Sequence, residues 1–165
     1  MDTGCLEVVV KRKKSTAMAF LKVLTIMLAV CFALIGLMGI WPALIIAAAC
    51  AVAAYFVSQN VDVEYEYTYL DRELRLAKIM NLSKRKEIGK YDLEKMEILA
   101  PANSYHLDDF KNKKVRELDY SSHEEKKPDP RYFLYVGGDT KLILEPTTEM
   151  VEAIRSFAPR KTFLS

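Results

Sequence analysis

From Ala17 to Val57 the chain is almost continuously apolar, with Lys22 its only charged side chain, whereas from Asp62 onward charges are dense and apolar residues recur at every second position. A single helix over the apolar run would be about 62 Å long, roughly twice the hydrocarbon thickness of a bilayer. Near its middle, Gly36 and Gly39 weaken the helix, and Pro42 removes an amide donor and disfavours helical geometry at Trp41. The pattern predicts a helical hairpin: a first helix from Phe20 to Leu37, a turn near 38–42, and a second helix from Pro42 to Val57. Ala47, Ala51 and Ala54, with Gly36 opposite, allow the two helices a close approach. Three readings compete with two full spans. A cleaved signal peptide has an apolar core of only about 7–15 residues, much shorter than this run. Cys31 and Cys50 each follow a faint lipoprotein-like stretch, although Val30 precedes the first. A re-entrant second segment is the strongest rival, because Ala47–Ala54 is only moderately hydrophobic.

After Ser58-Gln59-Asn60, read as the exit of the second helix, the period changes to two. Val61, Val63, Tyr65, Tyr67 and Tyr69 alternate with polar residues, and Leu74–Ile79 resumes the alternation after Asp71-Arg72-Glu73, which predicts a hairpin. Further strands are expected at 86–91 after the basic turn Ser83–Lys86, at 96–99, and at 115–120, with loops over 103–112 and 121–130. Residues 131–136 and 140–144 flank Gly137-Gly138-Asp139 as a second hairpin. Thr147 then caps a helix whose Met150, Val151, Ile154 and Phe157 share one face and which Pro159 stops. The expected fold is α+β: a transmembrane hairpin, then an antiparallel sheet or barrel of about seven strands closed by a C-terminal helix. The corresponding layout is a basic segment at 1–16, the hairpin at 17–57 and a folded domain at 61–165.

Charge adds orientation. The 165 residues sum to +2, and the basic excess lies at the start, where Lys11, Arg12, Lys13, Lys14 and Lys22 outweigh Asp2 and Glu7. Lys22 would cost about 2.5–3.5 kcal/mol at a bilayer centre but can snorkel from a helix end. These five residues and Trp41 are therefore the candidate membrane-interface anchors. The positive-inside rule places the N-terminus in the cytoplasm, and two crossings return the C-terminal domain there, giving a multi-pass protein of the cell membrane. The remainder lacks the basic excess typical of nucleic-acid binding. Cys5, Cys31 and Cys50 show no redox or zinc spacing.

The strand order and closing helix resemble the bacterial pleckstrin-homology-like domains attached to membrane hairpins. The stretches VEYEYTYLDRELRLAKIMNLSKRK, YDLEKMEILAP and ILEPTTEMVEAIRSFAPRK resemble a family of small bacterial membrane proteins of unknown function. This resemblance spans nearly the whole chain, carries no catalytic motif, and implies no activity.

The densest reactive composition is Ser104, His106, Asp108 and Asp109, but adjacency in sequence does not define a catalytic triad. Gly137-Gly138 fits a hairpin better than a phosphate loop, and no cofactor or metal is implied. The expected role is a membrane-anchored, non-enzymatic interaction or scaffold module, whose partners are membrane lipid and a protein or a second copy. A second reading is an anionic-lipid sensor using Lys84, Arg85 and Lys86, each basic residue contributing about 1 kcal/mol near anionic lipid. A third is an enzyme on a membrane-borne substrate using His106. Lys111, Lys113, Lys114 and Arg116 form a second basic cluster, read as solvated.

Overall fold

The computed structural model describes residues 5–81 and 84–164. They form two compact units: residues 13–63 with 79–81 and 84, which hold the helical hairpin, and residues 5–12, 64–78 and 85–164, which hold most of the sheet residues.

In the hairpin unit, α1 runs Thr16–Leu37 and α2 runs Pro42–Val61. At 22 and 20 residues they are about 33 and 30 Å long, so both reach bilayer thickness. The second helix runs through Ser58-Gln59-Asn60, where the sequence suggests an exit. Asn60 Nδ2 donates to the Phe56 carbonyl at 3.2 Å, a bond that sustains the last turn. Pro42 occupies the start of α2, where its missing amide proton has no helical partner to lose. Gly39 turns the chain with φ 104°, a conformation that few other residues adopt. Gly36 packs against Leu44, and a Cβ there would overlap the leucine side chain. Ala43, Ala47 and Ala54 are buried, whereas Ala51 is exposed, so the small residues that meet the close contact are Ala43, Ala47 and Ala54.

The other unit holds most of β1 (Leu6–Lys11), β2 (Val63–Leu70), β3 (Glu73–Met80) and β4 (Lys84–Asp92), a sheet in the order β1-β2-β3-β4. Within the basic segment expected at 1–16, Leu6–Lys11 is a strand. Its residues pair antiparallel with β2 from Leu6 opposite Tyr69 to Lys11 opposite Glu64. Asp71 and Arg72 form the two-residue link from β2 to β3 with φ of 50° and 66°, a turn that matches the strand twist without glycine. β4 begins at Lys84, so the basic residues expected in a turn lie within the strand.

The second sheet has the order β5-β7-β8-β6, from β5 (Met96–Pro101), β6 (Arg116–Asp119), β7 (Tyr132–Val136) and β8 (Thr140–Leu144). The described strands therefore number eight and form two four-stranded sheets in place of the expected single sheet or barrel of about seven strands. β6 also departs from the antiparallel expectation, since it pairs parallel with β8. Parallel neighbours need a crossover of a dozen or so residues, and the connection after Asp119 provides one. The β7–β8 hairpin turns through Gly137 and Gly138, both with positive φ. The expected loop over 103–112 contains a 3-10 turn, Tyr105–Phe110. Its Leu107 and Phe110 pack with Ile98, Ala100 and Tyr135. α3 (Thr148–Phe157) is capped by Thr147, whose hydroxyl accepts from Met150 N at 3.4 Å, and buries Met150, Val151 and Ile154. These join Tyr67, Leu74, Leu76, Leu134 and Leu142 in the core. The C-terminal residues bond the outer edge of β5, with Leu99 N donating to Lys161 O and Phe163 N to Leu99 O.

Candidate functional site

Strand alternation separates the basic residues of β4, because successive side chains point to opposite faces. Arg85 forms an ion pair with Glu66, which is almost fully buried. Glu66 lies between Tyr65 and Tyr67 on β2, so Arg85 is on the face opposite the tyrosines and Lys86 is on theirs. Lys84 donates to the Tyr55 hydroxyl at 3.0 Å, with its ammonium 5.4 Å from the ring centre. Arg85 therefore points away from Lys84 and Lys86, which share the other face of the strand.

The interface candidates also have defined surroundings. Lys11 lies 3.9 Å from Glu64, and Lys14 lies 2.6 Å from Asp62. Arg12 Nη1 donates to the Tyr65 hydroxyl at 3.4 Å. Lys13 is exposed, Lys22 is half-buried within α1, and Trp41 is 76 % exposed at the hairpin turn.

A grouping not anticipated from the sequence involves Lys78. The two-residue turn sets Leu70 opposite Glu73 and hence Tyr65 opposite Lys78. Asn81 N donating to Asp62 O at 2.9 Å keeps the same register at the far end. Lys78 is held below the ordinary lysine range by burial first, and then by the positive charges of Arg12 and Lys86. One inward column thus passes from buried Leu74 and Leu76 to a half-buried lysine beside two more cations. The signal was present in Leu74-Arg75-Leu76-Ala77-Lys78, where a lysine continues an apolar column.

The histidines sit in different settings. His106 is stacked on Phe163 at 3.7 Å and lies 3.9 Å from the Tyr105 ring, so its neighbours are aromatic. His123 Nδ1 lies 3.5 Å from Asp119 Oδ2. The nearby serine hydroxyls donate to carboxylates: Ser121 Oγ to Asp119 at 2.7 Å and Ser122 Oγ to Glu145 at 2.7 Å. A triad would instead join the serine to the histidine. An open groove of about 710 Å3 beside this segment is lined by His123, Glu124, Lys126, Asp129 and Arg131. Two ion pairs lie along it, Lys126 with Glu124 at 3.1 Å and Arg131 with Asp129 at 2.6 Å. The second basic cluster is likewise engaged through Lys111 with Asp108 and Lys113 with Glu97. Among the described residues, no three His, Cys, Asp or Glu side chains gather as metal ligands would.

Among the described residues, two four-stranded sheets and a C-terminal helix accompany two long apolar helices. The chain belongs to the family described as bacterial PH-like domain (DUF6106), which it matches over residues 3–164. No curated protein and no solved structure matches it.

Proposed function

We propose that the protein is a membrane-anchored, non-enzymatic interaction module, with α1 and α2 crossing the cell membrane and the sheet domain in the cytoplasm. The observation that supports this most is that none of α1's most apolar 18-residue window is buried, and only 11 % of α2's. A core helix of a soluble domain would bury such a surface, and the cost of leaving it in water is about 25 cal/mol per Å2 of apolar area. Lipid removes that cost. Basic residues before α1 favour the cytoplasmic side for the N-terminus, and an even number of crossings returns the chain to it. Tethering raises the domain's effective concentration toward membrane-borne partners, a second copy of the chain included.

Alkaline carbonate extraction and in-cell cross-linking test the two halves of this reading. The full chain is expected in the membrane pellet and in a reproducible cross-linked species of defined mass. Release of the chain into the supernatant would overturn the anchor, and absence of any reproducible cross-linked species would overturn the interaction role.

A further inference from the structure

We propose that the outer edge of β1 pairs with the β1 edge of a second copy of this chain, joining two first sheets across a two-fold axis at Val9. The inference rests on the interaction role proposed above and names its partner. Among the described residues the sheet runs β1-β2-β3-β4, so β1 and β4 are its edges. An edge strand offers a row of backbone donors and acceptors to another strand, and charged side chains, lysine above all, guard against such pairing. β4 is guarded in this way by Lys84, Arg85, Lys86 and Lys90, and pairing with its own copy about the strand centre, Ile88, would set Lys86 against Lys90. β1 reads Leu6-Glu7-Val8-Val9-Val10-Lys11, one charge of each sign around three valines. Leu6, Val8 and Val10 share the face of Tyr69, Tyr67 and Tyr65, whereas Glu7, Val9 and Lys11 are exposed on the other face, Val9 to 51 %.

Strand geometry restricts the register. Side-chain direction alternates with period two, so residues opposed in a continued antiparallel sheet share a face. A symmetric pair therefore has its axis at a residue and not between two. With the axis at Val9, Val9 meets its copy, Val8 meets Val10, and Glu7 meets Lys11 on each side of the axis. Every opposed pair from Glu7 to Lys11 is then apolar on apolar or opposite in charge, the combinations that stabilise neighbouring strands. With the axis at Val8, Glu7 would face Val9 and both charge pairs would be lost. Lys11 lies 3.9 Å from Glu64 with its side chain 64 % exposed, which leaves its ammonium open to a second carboxylate. A second copy fits this edge because β1 complements itself in both charge and apolar positions, and the resulting contact is isologous.

Disulfide trapping in cells tests the pair in a full chain whose Cys5, Cys31 and Cys50 are replaced by serine. Diamide, which crosses membranes, is the oxidant, so the readout does not depend on where the chain resides. Val9→Cys is expected to give a disulfide-linked dimer, because opposed Cα atoms in antiparallel strands lie about 4.5–5.5 Å apart. Glu7→Cys alone is expected to remain monomeric, since its copy lies four residues along the strand, about 14 Å away. Co-expression of Glu7→Cys with Lys11→Cys, on chains of different tag length, is expected to give a mixed disulfide. Val9→Lys in both chains should lower that yield about fivefold by opposing two ammonium groups at the axis. Circular dichroism of the purified chains verifies that each variant is folded. Absence of the Val9→Cys dimer, or equal disulfide formation by Val9→Cys and Glu7→Cys, would overturn the β1 pairing. If a reproducible cross-linked species with another protein accompanied either result, the β1 pairing would be overturned and the interaction role would stand.

Discussion

Apolar side chains have opposite surroundings in the two units. Leu134 and Leu142 in the second sheet are 0 % exposed, while Phe20 and Ile45 in the helices are 69 % and 75 % exposed. The sheet unit buries its apolar residues against its own strands and α3. The hairpin buries little beyond Gly36 and a few alanines, so its own contacts leave most of its apolar surface uncovered. Hydrophobicity alone therefore does not distinguish the regions; the presence or absence of an internal partner does.

The largest expected effect comes from exchanging one large aliphatic side chain in each unit for alanine. Leu142→Ala should destabilise the sheet unit by about 2–5 kcal/mol in denaturant unfolding, since it leaves a cavity. Ile45→Ala should change that transition by less than about 0.5 kcal/mol, because no packed neighbours are lost. Similar losses at both positions would break the comparison.

Next is a charge placed within α1. Leu28→Arg should disfavour membrane insertion by about 2.5–3.5 kcal/mol and reduce the pellet fraction after carbonate extraction. The same fraction as wild type would show that this surface does not meet hydrocarbon.

A smaller effect is expected in base, confined to the sheet unit. The Tyr67 hydroxyl donates to the Tyr120 carbonyl, and burial raises its pKa. The Tyr120 phenol is pushed up to about 12, by burial first and then by Tyr91. A folded-state pKa above the unfolded value of about 10 contributes stability that is complete below pH 10 and lost as pH rises toward 12. Phenolate absorbance should therefore rise together with unfolding over that window. Titration of all tyrosines near pH 10 in the folded chain would contradict this.

Much of the sheet unit was legible where burial produces local periodicity. Tyr65, Tyr67 and Tyr69 marked β2, the Gly137-Gly138-Asp139 turn marked the β7–β8 hairpin, and Thr147 with its spaced apolar residues marked α3. β1 escaped notice because Val8-Val9-Val10 hides the alternation and a basic run follows. The parallel pairing of β6 with β8 is a long-range choice that no local pattern encodes. The basic residues of β4 suggested a turn by composition, yet the pleat sends Arg85 and Lys86 to opposite faces. Lys78 joins Arg12 only through sheet register, across more than sixty positions of sequence.

The most direct test of the central claim combines topology with membrane residence. In a chain lacking Cys5, Cys31 and Cys50, Glu125→Cys places one thiol on an exposed loop. Cells are treated with a membrane-impermeant thiol reagent, intact or permeabilised, and labelling is read on chain recovered from carbonate-washed membranes. The account predicts protection in intact cells and labelling after permeabilisation, with the chain in the membrane pellet. Labelling of intact cells, or recovery only in the supernatant, would contradict a cytoplasmic domain held by a two-span hairpin.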